Sequence, residues 1–115
     1  MNELKSQLII NAGIRIAEQN LVNAYLVKRG DSEAGSIFVK IDTLDGNAKL
    51  FCRNLSYDLE NDRTFVEFVD QYPDNKIKTF DVDKRISKEV MIDRDCWVVE
   101  IEDKNGFNPF LNLDC

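Results

Sequence analysis

Apolar residues recur at four-residue steps near the start of the chain, at Leu4, Leu8, Ala12 and Ile16, with Ile10, Ile14, Ala17 and Leu21 on an adjoining stripe. This broad apolar face predicts a helix over residues 4–20, ending at Asn20 or Asn23. Leu8, Ile10, Ala12, Ile14 and Ile16 also alternate as a strand would, but seventeen residues without a turn signal exceed the usual length of a strand.

The period then changes to two. Residues 24–29 predict a strand, and residues 30–35 a turn built from Gly, Asp and Ser. Ile37, Val39 and Ile41 alternate with Phe38, Lys40 and Asp42, and Asp45-Gly46 between two such runs is the strongest short hairpin signal, so residues 47–53 return as a third strand. A two-residue loop sets Asp42 opposite Lys49, Lys40 opposite Phe51 and Phe38 opposite Arg53. On the other face it sets Ile41 opposite Leu50 and Val39 opposite Cys52, so Ile37, Val39, Ile41, Ala48, Leu50 and Cys52 form a wholly apolar core face.

Residues 54–62 read as a polar loop, residues 63–69 as a fourth strand, and Tyr72-Pro73-Asp74-Asn75 as a turn. Val82, Ile86, Val90 and Met91 predict a short helix capped by Asp81 or Asp83 and stopping before Asp93. Residues 97–102 are the last strand, and Lys104-Asn105-Gly106 turns the chain into an apolar tail. The order is α-β-β-β-β-α-β. The expected class is α+β: a mainly antiparallel sheet of about five strands, a meander on its short turns, with two helices on one face. With no linker composition and no repeat, residues 1–115 are expected to form a single domain.

At 115 residues and 43% apolar composition, one core can hold such a fold without disulfides or metal. No apolar run approaches the roughly 20 residues of a membrane-spanning helix, and the N-terminus lacks the pattern of a secretory signal, so no membrane association is expected. Three cysteines (Cys52, Cys96 and Cys115), an odd count without C-x-x-C spacing, point to a reducing cytoplasm rather than a disulfide framework or a zinc site. The formal net charge is −6, yet residues 1–30 carry +2, which leaves −8 for residues 31–115. The chain has no histidine, which removes the usual general base and the commonest metal ligand.

Two segments carry a resemblance: Ala24-Tyr25-Leu26-Val27-Lys28-Arg29-Gly30-Asp31 with Ala34-Gly35 and Leu44-Asp45-Gly46, and Trp97-Val98-Val99-Glu100-Ile101-Glu102-Asp103. They resemble a family of short bacterial proteins known only as domain of unknown function fourteen ninety-one. The resemblance spans residues 4–111 and implies a bacterial cytoplasmic origin and a single domain. It implies no activity, cofactor or catalytic residue.

Three groups of residues are candidate sites. The first is the polar hairpin face, where Phe38, Lys40, Lys49, Phe51 and Arg53 interleave two aromatics with three cations, a pattern that can stack bases. Residues 35–41 are distantly similar to the strand of an RNA-recognition motif, but Ala34, Ser36 and Ile41 stand where a base and aromatics belong, and the acidic net charge opposes nucleic acid. The blander expectation is that Phe38 and Phe51 lie buried under a helix or the tail.

The second group is acidic: Glu100 and Glu102 on one strand face, with Asp31, Glu33 and Arg29 around the glycine turn. Clustered carboxylates can hold a hard cation or serve a small enzyme, although the spacing matches no calcium loop and an ordinary solvated face is the simpler reading. The third is the tail, where Phe107, Phe110 and Leu111, with Leu113 and the strand residue Trp97, either cover the chain's own sheet or dock on another subunit. The function expected is a non-enzymatic binding or interaction module for a protein partner or a second copy, with no cofactor and no metal. The alternative is a small ligand- or metal-dependent enzyme using the surface carboxylates and Arg29, and weak RNA or nucleotide binding through the hairpin face comes third.

Overall fold

A computed structural model describes residues 5–33 and 35–111, with the backbone alone at residues 55, 56, 65 and 66. Leu4, Ala34, Leu113 and Cys115 lie outside the described residues. The elements are α1 (Ser6–Gln19), β1 (Asn23–Lys28), β2 (Ile37–Asp42), β3 (Asn47–Asp58), β4 (Arg63–Asp70), β5 (Ile77–Lys78), α2 (Thr79–Ile92) and β6 (Trp97–Glu102). The class is α+β as expected. The main sheet runs β1-β6-β2-β3-β4, with the two-residue β5 paired to the start of β3.

The last strand is central. β6 inserts between β1 and β2, antiparallel to the first and parallel to the second, so the meander is β2-β3-β4 and β1 is an edge. One face of the sheet gathers Ile37, Val39, Ile41, Phe51, Phe68, Trp97, Val99 and Ile101 under Ile9, Ile10 and Ala17 of α1 and Phe110 of the tail. The other gathers Phe38, Ala48, Leu50 and Cys96 under Val82 of α2. The helices therefore cover opposite faces, not one, as a parallel pair at the centre of a sheet requires.

The hairpin register differs from expectation by one residue: Phe38 pairs with Cys52, Val39 with Phe51, Lys40 with Leu50 and Ile41 with Lys49. The loop is three residues long, closed by the Thr43 N–H donating to the Asn47 carbonyl at 3.2 Å. Side chains hold it: Asp42 Oδ1 accepts from the Leu44 N–H at 2.8 Å, and Asp45 Oδ1 from the Thr43 hydroxyl at 2.6 Å and the Asn47 N–H at 3.1 Å. These bonds hold the Asp45 carboxyl below the usual carboxylate range, the Thr43 hydroxyl first among them. Ala48, Leu50 and Cys52 thus leave the face of Ile37, Val39 and Ile41, because a one-residue slip reverses every side chain.

Residues 54–58 are strand rather than loop. Asn54 to Asp58 continue β3 in pairing with Glu67 to Arg63 of β4, a long two-stranded arm whose turn is organised by Asp58 accepting from the N–H groups of Glu60 and Asn61. α2 begins two residues before the expected start, after Lys78, with no side-chain cap from Asp81 or Asp83.

α1 buries Ser6, Ile9, Ile10, Gly13 and Ala17, a stripe one position away from Leu8, Ala12 and Ile16. Leu8 is half exposed and Leu21 is 94% exposed. The helix closes in a Schellman motif: Val22 N–H donates to the Ala17 carbonyl at 2.9 Å and Leu21 N–H to Glu18 at 3.1 Å, with Leu21 left-handed at φ 58°. Glycine usually occupies that position; leucine there costs roughly 1–2 kcal/mol. Leu21→Gly is expected to raise stability by about 0.5–1 kcal/mol and the melting temperature by about 3–5 °C, since no packing is lost. A melting temperature that falls would contradict it.

Candidate functional site

The hairpin candidates do not share a face. Phe38 and Lys40 point toward α2, whereas Lys49, Phe51 and Arg53 stand on the α1 side. Phe38 (3% exposed) and Phe51 (7%) belong to the two cores, so no exposed aromatic–basic platform forms from them. The Arg53 guanidinium donates to the Ser6 hydroxyl at 2.9 Å, which donates in turn to the Gly35 carbonyl at 3.0 Å, joining β3, α1 and the loop before β2.

Lys40 is buried, and its ammonium lies 2.7 Å from Asp83 of α2 and 3.3 Å from Glu100 of β6. Burial works to lower its pKa, but the Asp83 hydrogen bond and the charges of Glu100 and Asp83 outweigh it, and the net shift is upward. A residue expected in a cationic face and one expected in an acidic site thus neutralise each other and pin α2 to the sheet.

The remaining acidic candidates are dispersed. Asp31 and Glu33 lie beside the start of β6: the Asp31 N–H donates to the Asp95 carbonyl at 3.0 Å, and Trp97 Nε1 donates to the Asp31 carbonyl at 2.8 Å. Arg29 lies 5.4 Å from the centre of the Trp97 ring, and Glu33 pairs with Lys5 at 3.1 Å across open solvent. Glu102 sits at the far end of β6, about 16 Å away at strand rise, and on the opposite face. It accepts from the Tyr25 hydroxyl at 3.2 Å and from Asn23 Nδ2 at 3.4 Å, and the Tyr25 bond raises that phenol's pKa. Among the described residues no three His, Cys, Asp or Glu side chains converge as metal ligands. The glycine turn is a structural clamp: a Cβ on Gly30 would stand 2.2 Å from the Asp95 carbonyl oxygen, and one on Gly35 2.5 Å from it.

The tail packs on its own chain. Phe110 is 2% exposed and meets Phe68 at 5.2 Å between ring centres, Phe107 is half-buried, and Leu111 remains half exposed. A Cβ on Gly13 would stand 2.1 Å from the Phe110 ring, so α1 carries glycine where the tail crosses it. Trp97, 1% exposed, belongs to the same core. Burial raises the pKa of Cys52 and Cys96, which suits inert thiols rather than nucleophiles.

Two features, one of which shares Lys49 with the hairpin candidates, were not expected as sites. β1 is an edge on which Tyr25, Leu26 and Val27 are 49%, 41% and 60% exposed. A cleft of about 240 Å³ opens beyond the ends of β2 and β6, where Lys49, Lys76 and Lys104 meet Asn47, Asn75, Asn105 and Asp45. No sequence signal marks it, because its walls come from three polar turns far apart in the chain.

The family model for a protein of unknown function, DUF1491, matches residues 4–111. The chain belongs to the DUF1491 family. A DUF1491 family protein from Caulobacter crescentus, solved by crystallography, is 32% identical over 96% of both chains, with a TM-score of 0.73. An NMR structure of a DUF1491 family protein from the same organism is 29% identical over 96% of both, with a TM-score of 0.72. A solution structure from A. tumefaciens, 24% identical over 97% of this chain and 95% of that one, shares the fold with a TM-score of 0.70. No curated protein matches the chain. Among the described residues no helix is long and apolar enough to cross a membrane.

Two outcomes follow for the DUF1491 chain. Phe110→Ala is expected to cost about 3–5 kcal/mol in urea unfolding and Gly13→Ala about 1–3, but Gly13→Ala made on top of Phe110→Ala is expected to be neutral or stabilising, because the clash is gone and helix propensity remains. Additive costs would contradict the contact. For the buried ammonium, Asp83→Asn with Glu100→Gln strands the charge and is expected to cost about 2–4 kcal/mol, whereas Lys40→Met stays within about 1 because both carboxylates reach water. The folded state holds the Lys40 proton more tightly than the unfolded chain. Its contribution is therefore complete below the ordinary lysine range and fades as pH rises through the raised value, a slope that Lys40→Met should remove.

Proposed function

We propose that this DUF1491 protein is a non-enzymatic binding module of the cytoplasm, a single domain over residues 1–115, that takes an extended segment of another protein as an added strand along β1. The observation that carries this reading is the contrast between the two sheet edges. β4 carries Arg63, Glu67 and Asp70, charges of the kind with which proteins guard an edge. β1 instead presents Tyr25, Leu26 and Val27 to solvent, and no described strand pairs with its outer side.

The register with β6 shifts between Leu26 and Lys28, leaving Val27 as an extra, outward residue. The regular stretch open to a partner is therefore Asn23 to Leu26, four residues whose backbone would supply the hydrogen bonds while Tyr25 and Leu26 supply apolar contact on the two faces. Glu102, held by Tyr25 and Asn23, lies beside this stretch and favours a basic residue in the added segment. Two unpaired thiols, Cys52 and Cys96, support a reducing compartment. The dispersal of Arg29, Asp31, Glu33, Glu100 and Glu102 supports binding over catalysis, since an enzyme needs its polar groups to converge.

The test compares proteins captured by the wild type, by Tyr25→Lys/Leu26→Lys, and by a control pair on α2, Phe80→Lys/Met91→Lys. A stoichiometric partner is expected with the wild type and the α2 control and lost with the edge pair, and its complex should slow amide hydrogen exchange at residues 23–27. A partner retained by the edge pair, or protection elsewhere, would overturn the proposal; a dimer in light scattering that the edge pair dissociates would replace the foreign strand with a second copy.

A further inference from the structure

The cleft beyond the ends of β2 and β6 has its own chemistry. Its cations come from separate segments: Lys49 from β3, Lys76 from the turn before β5, and Lys104 from the turn after β6. In a chain of net charge −6, convergence of three lysines on about 240 Å³ is an electrostatic feature that the overall balance opposes. Among the described residues none of the three is within ion-pair distance of a carboxylate, in contrast to Lys5 and Lys40. The one acidic group in the wall, Asp45, accepts from the Thr43 hydroxyl and the Asn47 N–H and stays ionised, which leaves three lysines against one carboxylate.

The backbone shapes the cleft for these groups. It lies just past Asp42 and Glu102, the carboxyl ends of the two parallel strands, the end of the strands at which open α/β sheets bind ligands. Gly106 is left-handed at φ 74°, a backbone conformation that favours glycine, and it lies against the stem of Lys49. Asn47, Asn75 and Asn105 add amide groups, of which that of Asn75 donates to the Pro73 carbonyl at 3.3 Å and keeps a second N–H.

We propose that this cleft binds the phosphate group of a small phosphomonoester. Three lysines and three asparagines lining one small cleft match a dianion with several acceptor oxygens better than a carboxylate. A second trough of about 320 Å³ shares Lys49, Asn75 and Lys76 and continues past Tyr72 and Pro73 to Asp70 and Asp74. Those two carboxylates repel a second phosphate, and Asp74 with the second oxygen of Asp70, whose Oδ1 accepts from the Tyr72 N–H at 3.0 Å, can accept from hydroxyls, so the body of the ligand is uncharged and hydroxyl-bearing, as in a sugar monophosphate.

The test is a titration of the purified protein followed by backbone amide NMR shifts, with inorganic phosphate, glucose 6-phosphate and glucose as probes. Saturable shifts confined to residues 43–49, 70–76 and 103–106 are expected with both phosphates, tighter for the ester, and none with glucose. Lys49→Gln/Lys76→Gln/Lys104→Gln is expected to weaken the ester about tenfold or more with an unchanged melting temperature, while Lys84→Gln/Lys88→Gln on α2 leaves it alone. No saturation by about 20 mM ester, shifts spread over all surface lysines, or undiminished binding by the triple variant would overturn the proposal.

Discussion

The parallel pairing of β6 with β2 is the constraint on which the rest of the structure depends. Six residues of each strand run side by side from Ile37–Trp97 to Asp42–Glu102, and both sit inside the sheet, with β1 and β3 beyond them. A strand pair so placed exposes no backbone to water and needs a cover on each face. α1 and the tail supply one cover, α2 the other, and five of the six β2 side chains are buried. Lys40 follows from the same constraint: its position on a doubly covered strand buries it, and only the carboxylates of a neighbouring strand and of the covering helix make that burial tolerable.

Much of the element order was legible because period is a local property. The stripes of α1 and α2, the alternation of β2 and β6 and the β-branched and aromatic run of β4 are written in consecutive residues. Layering was not legible, because it depends on where β6 inserts, and no local pattern records that. The strand Trp-Val-Val-Glu-Ile-Glu alternates like a half-exposed edge, yet its Glu100 faces a buried lysine. Residues 54–58 were misread for a related reason: Asn, Ser and Asp suggest a loop, and only pairing with β4 makes them strand.

The register error shows how a strong signal misleads. Asp45-Gly46 favours a two-residue loop, but Asp42 and Asp45 each bind backbone or hydroxyl groups of the turn and hold three residues in it. One added residue sends Phe38 and Lys40 to one face and Phe51 and Arg53 to the other, which dissolves the expected aromatic–basic platform. Burial of Phe38 and Phe51, the blander expectation, is what the register then demands. The lysine cleft was not legible as a unit, since Lys49 was read only with the hairpin face, Lys76 and Lys104 are unremarkable in their own turns, and the three meet only through β5, the hairpin and the end of β6.

Covering both faces also restricts where a ligand can be met. Side chains that would form a platform on an open sheet are spent on cohesion here, and the interior offers Cys52 and Cys96 only as thiols whose pKa burial has raised. Access is left at the outer edges, along the β3–β4 arm, on the outer helix surfaces and at the strand ends. An edge offers unpaired backbone and reads an extended chain; a strand end offers loops and reads a small group. The apolar β1 edge and the lysine-lined turns beyond β2 and β6 are these two kinds of surface. Their residues can vary with little effect on the core, whereas Gly13, Gly30 and Gly35, each in close contact with neighbouring backbone or an aromatic ring, cannot.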